Sequence, residues 1–258
     1  MFDTIAPYAA DLLPFILVGF GAQIIDGALG MAFGVITQTM LVSVLGVSPA
    51  TASASVHLVE VFTTGTSGAS HLWRRNINWP LFWRLMPAGV VAGVLGAYVL
   101  SNVDASAAKP FVMLYLAGIG LFLFYKALFF GRWPRFKHPR FTRPLAFVGG
   151  FLDSAGGGGW GPVVTSNLLV QGGDPRTTIG TVNSAEFLLT LAVSITFLIT
   201  LGAAAFSHAV VGLIIGGVLA APIGAVLTSR IEPRYLLFMV ATVLTATSLF
   251  AVAKEWFF

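Results

Sequence analysis

Polar positions divide this chain into eight apolar runs, at about residues 12–46, 48–72, 79–101, 110–130, 144–172, 175–201, 206–229 and 233–256. Roughly 20 apolar residues, wound as a helix, cross the hydrocarbon core of a bilayer, and six of the runs have that ordinary length. The pattern predicts an all-α polytopic membrane protein. The first and fifth runs are longer and studded with glycine, at AQIIDGALGMAFG (22–34) and FLDSAGGGGWG (151–161). Glycine costs about 1 kcal/mol per residue inside a helix, and irregular backbone is tolerated at membrane depth only against protein or a polar cavity. Each of these runs is therefore expected to break into a re-entrant or two-pass helical hairpin, followed in each half by three spanning helices.

The two broken runs also resemble each other. Setting Asp26 on Asp153 brings Gly30 onto Gly157, Gly34 onto Gly161 and Gly46 onto Gly173. With one residue of slippage, Pro49 meets Pro175, Thr51 meets Thr177, Val56 meets Val182, His57 meets Asn183 and Glu60 meets Glu186. Further along, GVLGAYVLS (93–101) lies against APIGAVLTS (221–229). Single coincidences among small apolar residues carry little weight, but the ordered series of Asp, Gly, Pro, Thr and Glu reads as two homologous halves. The expected division is a first transmembrane repeat at 1–131, a basic cytoplasmic linker at 132–142 and a second repeat at 143–258.

Charge bears on orientation. Only 9% of the residues are charged and 57% are hydrophobic, against about 25% charged in an ordinary soluble domain. The net charge of +4 is gathered in a few loops without interleaved aromatics, so it reads as a topology signal and not as a nucleic-acid surface. If the long runs each cross once, the repeats are parallel and the Lys and Arg residues divide ten to four between the two sides. If each makes no net crossing, the repeats are inverted and the division is twelve to two, with Lys109 and Lys254 on the sparse side. The positive-inside rule favours the inverted arrangement. Cysteine is absent, which removes disulfides, thiolate metal sites and cysteine nucleophiles. The N-terminus, MFDTIAPYAADLLPF, has no Lys or Arg and so lacks the basic start of a secretory signal.

Inverted repeats with broken helices are a recurrent plan of secondary transporters, which hold substrate near the midplane between the repeats. Broken helices expose backbone N–H groups at the positive end of a helix dipole, which favours an anion. On that reading Gly156, Gly157, Gly158 and Gly159, with Trp160 and Ser154, form one half-site, and Gly27, Gly30 and Gln23 belong to its diminished twin. Scattered glycines such as Gly89, Gly93 and Gly96 read instead as helix-packing positions. Ionisable groups inside membrane segments are functional candidates by default, and these are Asp26, His57, Glu60, Asp153 and Glu186. His57 and Asn183 lie three residues before their glutamates and so share a helix face with them. Asp26 and Asp153 directly precede the breaks, so capping a half-helix is as natural a role for them as handling protons. For Glu60 and Glu186 a proton-coupling role is favoured. Gln38, Thr165, Ser166 and Asn167 could also line a pocket. No metal or cofactor is expected. Gly156, Gly158 and Gly161 fit GxGxxG formally, but no βαβ unit surrounds them. HLVE (57–60) is not HExxH, and the chain has no GxSxG elbow, so an enzyme is disfavoured.

GFLDSAGGGGWGPVVTSNLL (150–169) followed by GGDPRTTIGTVNSAEF (172–187) resembles the TauE/SafE family of sulfite exporters. IIDGALGMAFG (24–34) with SPATASASVHLVEVFTTG (48–65) is similar to the same family. The resemblance spans essentially the whole chain, and it implies a multi-pass protein of a bacterial inner membrane that transports a small anion such as sulfite or an organosulfonate. Its partners would be that anion and membrane lipids. An anion channel of the same architecture would share these features. The first half departs from the fuller glycine cluster, with Leu29, Met31 and Ala32 where the second has Gly156, Gly158 and Gly159, so the two half-sites are unequal.

Overall fold

The computed structural model describes residues 2–29, 31–129, 139–171, 173–203 and 208–227, and from the C-terminal stretch residues 235, 238–239, 241–242, 245–246, 249–250 and 253. Among the described residues all regular structure is helical. Helix α1 (Phe2–Leu29) is followed by a short α2 (Phe33–Thr39) that continues as a π-helical turn, Met40–Val44. Then come α3 (Pro49–Trp73), α4 (Trp79–Asn102) and α5 (Ala105–Leu128). The second half begins with α6 (Thr142–Gly156), a π-helical turn Trp160–Thr165 and α7 (Ser166–Val170). It continues through α8 (Pro175–Leu201) and α9 (His208–Leu227). The eighth apolar run, 233–256, and residues 132–138 of the basic linker lie largely or wholly outside the described residues.

The spans Trp79–Asn102, Ala105–Leu128 and Thr177–Leu201 are long and apolar enough to cross a membrane, and Leu12–Asp26, Phe33–Val44 and Val210–Ala220 are shorter apolar helices. Large apolar side chains such as Leu17, Trp83, Phe111, Leu121, Ile199 and Val218 face outward. In water such a surface would aggregate, whereas lipid is its natural solvent. Helix starts follow their local chemistry. Asn78 accepts from the Leu81 N–H and is followed by Pro80 in the first turn of α4. Ser48 before Pro49 accepts from the Thr51 N–H, as Asp174 before Pro175 accepts from the Thr177 N–H. These last two caps occupy equivalent positions of the proposed halves. Asp104 caps α5 outside the membrane spans, and its bonds from Ser106 hold its carboxyl below the usual carboxylate range.

The principal packing runs between the proposed halves. Helix α1 lies along α9, α4 along α6, and α3 along α8. Exchanging the proposed halves would turn the α1–α9 pair into the α6–α4 pair and leave α3–α8 unchanged, but α4 also lies along α8 while the corresponding contact of α9 with α3 is slight. Small residues permit the close crossings. A methyl group on Gly96 would stand 2.6 Å from the Phe151 carbonyl oxygen, and one on Gly150 would stand 2.5 Å from that of Gly89. Gly19 of α1 meets the Leu213 backbone of α9 in the same way. The packing role expected of Gly89 and Gly96 matches these contacts.

Backbone cannot move aside as a side-chain tip can, so a branched residue at Gly96 or Gly150 forces α4 and α6 apart. Gly96→Val is expected to cost about 1–3 kcal/mol. The check is a lowered melting temperature of the detergent-solubilised protein. An unchanged melt would mean that the two helices are not in backbone contact.

Candidate functional site

Both breaks are built around an aspartate. Asp26 Oδ1 accepts from the N–H groups of Ala32 at 2.7 Å and Phe33 at 3.1 Å. Asp153 Oδ1 accepts from Gly159 at 2.6 Å and Trp160 at 2.9 Å. In each half, then, a carboxylate six and seven residues upstream satisfies the first donors of the next half-helix. A lost cap of this kind costs about 1 kcal/mol, and each buried N–H left orphaned costs about 1–3 kcal/mol more. The second break is the tighter. The N–H groups of Gly157 and Gly158 both donate to the Asp153 carbonyl, at 2.8 and 2.9 Å. Gly157 and Gly158 have φ of 78° and 141°, values that a residue with a Cβ adopts only under strain.

The two breaks meet. A Cβ on Gly158 would lie 2.5 Å from the Val35 nitrogen and 2.8 Å from its Cα, and one on Gly161 would lie 2.9 Å from the Met31 Cα. Around this meeting point is a cavity of about 310 Å³. Of the residues singled out from sequence, Gln23, Asp26, Glu60, Asp153, Gly158, Gly159, Asn183 and Glu186 line it. So do Thr63, Thr64, Ser67 and His71 from α3, and Gly34, Val35 and Gly161 from the breaks. Four carboxylates therefore share one cavity, and among the described residues no Lys or Arg lines it.

Other candidates stand behind this lining. Gly156 packs against the Tyr115 ring and Gly157 against the Gln38 side chain. Trp160 is fully buried, fits against Gly89, and donates its indole N–H to the Val182 carbonyl at 3.3 Å. The apolar groove between α4 and α8 is where a large indole buries most surface, so Trp160 packs helices and does not face the cavity. The Ser154 carbonyl accepts from the Ser53 hydroxyl at 2.9 Å. Gly27 lies in the last turn of α1, and Gly30 lies outside the described residues. His57 is fully buried one layer back, its Nε2 3.1 Å from Asp153 Oδ2. Gln38 donates to the Pro49 carbonyl, Asn167 to that of Val163, and Ser166 receives the buried Lys126 ammonium at 2.6 Å. Asn183 donates to Ser67 Oγ at 2.8 Å, joining α8 to α3.

Tyr115 is a residue the sequence reading missed. Its hydroxyl donates to the Gly158 carbonyl at 2.8 Å and so fixes the break from α5. A phenol in the middle of an apolar run needs a polar partner, and that was the available signal.

A family model described as sulfite exporter TauE/SafE matches residues 15–251. The chain belongs to the TauE/SafE family. It is thus a membrane transporter of that family, and both glycine breaks and the cavity between them fall inside the matched region. The chain is also 38% identical over 253 residues to the probable membrane transporter protein YtnM of Bacillus subtilis (strain 168). That alignment covers 95% of this chain and 84% of the relative. No solved structure matches the chain.

For this TauE/SafE protein the caps give a clean contrast. Asp26→Ala removes the acceptor for two buried donors and is expected to cost about 2–4 kcal/mol. Asp26→Asn keeps an oxygen in place and should cost under half as much. Thermal unfolding of the two variants side by side checks this, and equal losses would mean that the carboxylate is not the cap.

Proposed function

We propose that this transporter moves a small sulfur oxyanion or organosulfonate, of the sulfite or sulfoacetate type, outward across a bacterial inner membrane. Transport is by alternating access between two inverted halves. The observation that carries the reading is the convergence of both glycine breaks on one polar cavity. A sulfonate or sulfite group offers three oxygens, and it needs short, fixed donors more than bulk. Ala32, Phe33, Gly159 and Trp160 N–H groups are taken by the aspartates. Val35 and Gly161 lie in the first turns of the half-helices beside them, where a helix leaves N–H groups without intrahelical partners. With the second amide hydrogen of Asn183, whose first goes to Ser67 Oγ, these are the donors that would meet the anion; the Thr63 and Thr64 hydroxyls are given to the Glu60 carbonyl. Glycine at 158 and 161 lets the two breaks approach closely enough to enclose the anion.

The driving force is simple. A potential of 100 mV, negative inside, is worth about 2.3 kcal/mol per elementary charge, which favours expulsion of an anion. The four carboxylates oppose entry, since two like charges 4 Å apart repel by about 4 kcal/mol at an effective dielectric constant of 20. An anion therefore enters only when protons accompany some of those groups, and Glu60 and Glu186 are the two whose side chains carry no cap.

Proteoliposomes loaded with labelled sulfite or sulfoacetate test the reading. The expected result is protein-dependent, saturable efflux that rises with an outside-positive potential and falls at least tenfold in Gly158→Ala. Absence of flux for both anions under every voltage and pH gradient would overturn it.

A further inference from the structure

His57 and Asp153 join the two proposed halves, and their hydrogen bonds determine where a proton must be. His57 Nδ1 lies 2.8 Å from the Ser53 carbonyl oxygen, an atom that can only accept. Its other neighbour, Ser53 Oγ at 3.3 Å, has already given its hydrogen to the Ser154 carbonyl at 2.9 Å and can also only accept. Nδ1 therefore carries a hydrogen. A neutral imidazole with its hydrogen on Nδ1 presents a lone pair at Nε2. That lone pair lies 3.1 Å from Asp153 Oδ2, at hydrogen-bonding distance, and an ionised carboxylate there has only lone pairs to offer in return. The contact holds only with one further proton between Nε2 and Oδ2, on imidazolium or on carboxylic acid.

From this geometry, and resting on the transport reading above, we infer that His57 and Asp153 are the proton-binding site of the transporter, holding one exchangeable proton between its halves. Asp153 is suited to the task because its two oxygens are divided. Oδ1 holds the Gly159 and Trp160 N–H groups that shape the break, and Oδ2 faces His57. Removal of the shared proton sets two lone pairs against each other across the α3–α6 contact, and the same carboxylate transmits the displacement to the glycine break. The acceptor for the departing proton is Glu60, one turn along α3. Its carboxylate lies over Gly34 on the cavity wall, and one oxygen of Glu60, one of Asp153 and a nitrogen of His57 lie within 4.8 Å of one another. The Glu60 side chain is nine-tenths buried and holds no hydrogen bond among the described residues. In the transfer the N–H bond of Nε2 breaks, an O–H bond forms on Glu60, and the net charge of the trio is unchanged. The proton then leaves through the cavity. Among the described residues the remaining ionisable groups facing the site are Asp26 of α1, His71 in the last turn of α3, Tyr115 of α5 and Glu186 of α8; none is a Lys or Arg, so protons are what offset the carboxylates.

Two measurements test this. In proteoliposomes at zero membrane potential, a one-unit pH gradient is expected to drive sulfoacetate to about a tenfold concentration ratio per coupled proton; the charge of this anion is fixed near neutral pH. Asp153→Asn retains an oxygen for Gly159 and Trp160 and an amide N–H for Nε2, but no dissociable proton. His57→Gln likewise donates to Asp153 without one. In both, whatever the absolute rate, the ratio should fall to one. A ratio that still follows the pH gradient in either variant would overturn the proposal. Independently of transport, 15N NMR of histidine-labelled wild-type protein near neutral pH should find His57 protonated at Nδ1, with Nε2 sharing a proton. A neutral His57 protonated at Nε2 alone would overturn the proposal, as would stoichiometric zinc that is lost on His57→Gln. Wild-type protein that carries neither sulfite nor sulfoacetate would overturn the functional reading instead, leaving the shared proton to the NMR result.

Discussion

The constraint on which the rest of this structure depends is that no backbone N–H can go unpaired where there is no water. Two helices are interrupted inside a membrane protein, and each interruption exposes donors that lipid cannot satisfy. The chain answers the problem twice with the same device. Asp26 and Asp153 reach forward six and seven residues and take the first two donors of the next half-helix. Once the donors are held, the backbone can be left bare at Gly34, Gly158 and Gly161, and two bare backbones can meet. The cavity is what remains between them.

That solution has an electrostatic consequence. Capping with carboxylates, and not with serine or asparagine, puts negative charge beside the broken backbone that lines the cavity. Glu60 and Glu186 add two more groups of the same sign. A membrane transporter of this family thus surrounds its cavity with acids. The arrangement is coherent if protons and anion enter together, so that each neutralises the cost of the other. The His57–Asp153 contact would make that link mechanical as well as electrostatic, because the oxygen facing the imidazole and the oxygen shaping the break belong to one carboxylate.

Much of this was legible in the sequence, because it is local. The apolar runs matched α3, α4, α8 and α9 closely, for hydrophobic length is read directly from the chain. The breaks fall where DGALG and the four-glycine run put them, and the Pro49–Thr51 and Pro175–Thr177 matches turned out to mark equivalent helix caps. What the sequence hid was tertiary. Helix α1 extends to Phe2, since a helix once started can run through polar residues that end a hydrophobic stretch. Nothing in the spacing says that α1 lies on α9 and α4 on α6. Trp160, read as a wall of the half-site, turns into the groove beside Gly89 because an indole gains more from close packing there. His57 aligns with Asn183 in the repeat, yet its partner is Asp153 on another helix, a pairing that only the fold creates.

The central claim is that the meeting point of the two breaks holds the transported anion. A structure of the protein in lipid, determined with selenite or selenate as a heavier stand-in for the sulfur oxyanion, tests it most directly. The account predicts anomalous or map density within hydrogen-bonding reach of the Val35 and Gly161 N–H groups, bounded by Glu60 and Asn183. Density for the anion elsewhere in the protein, with this cavity holding only water, would contradict it.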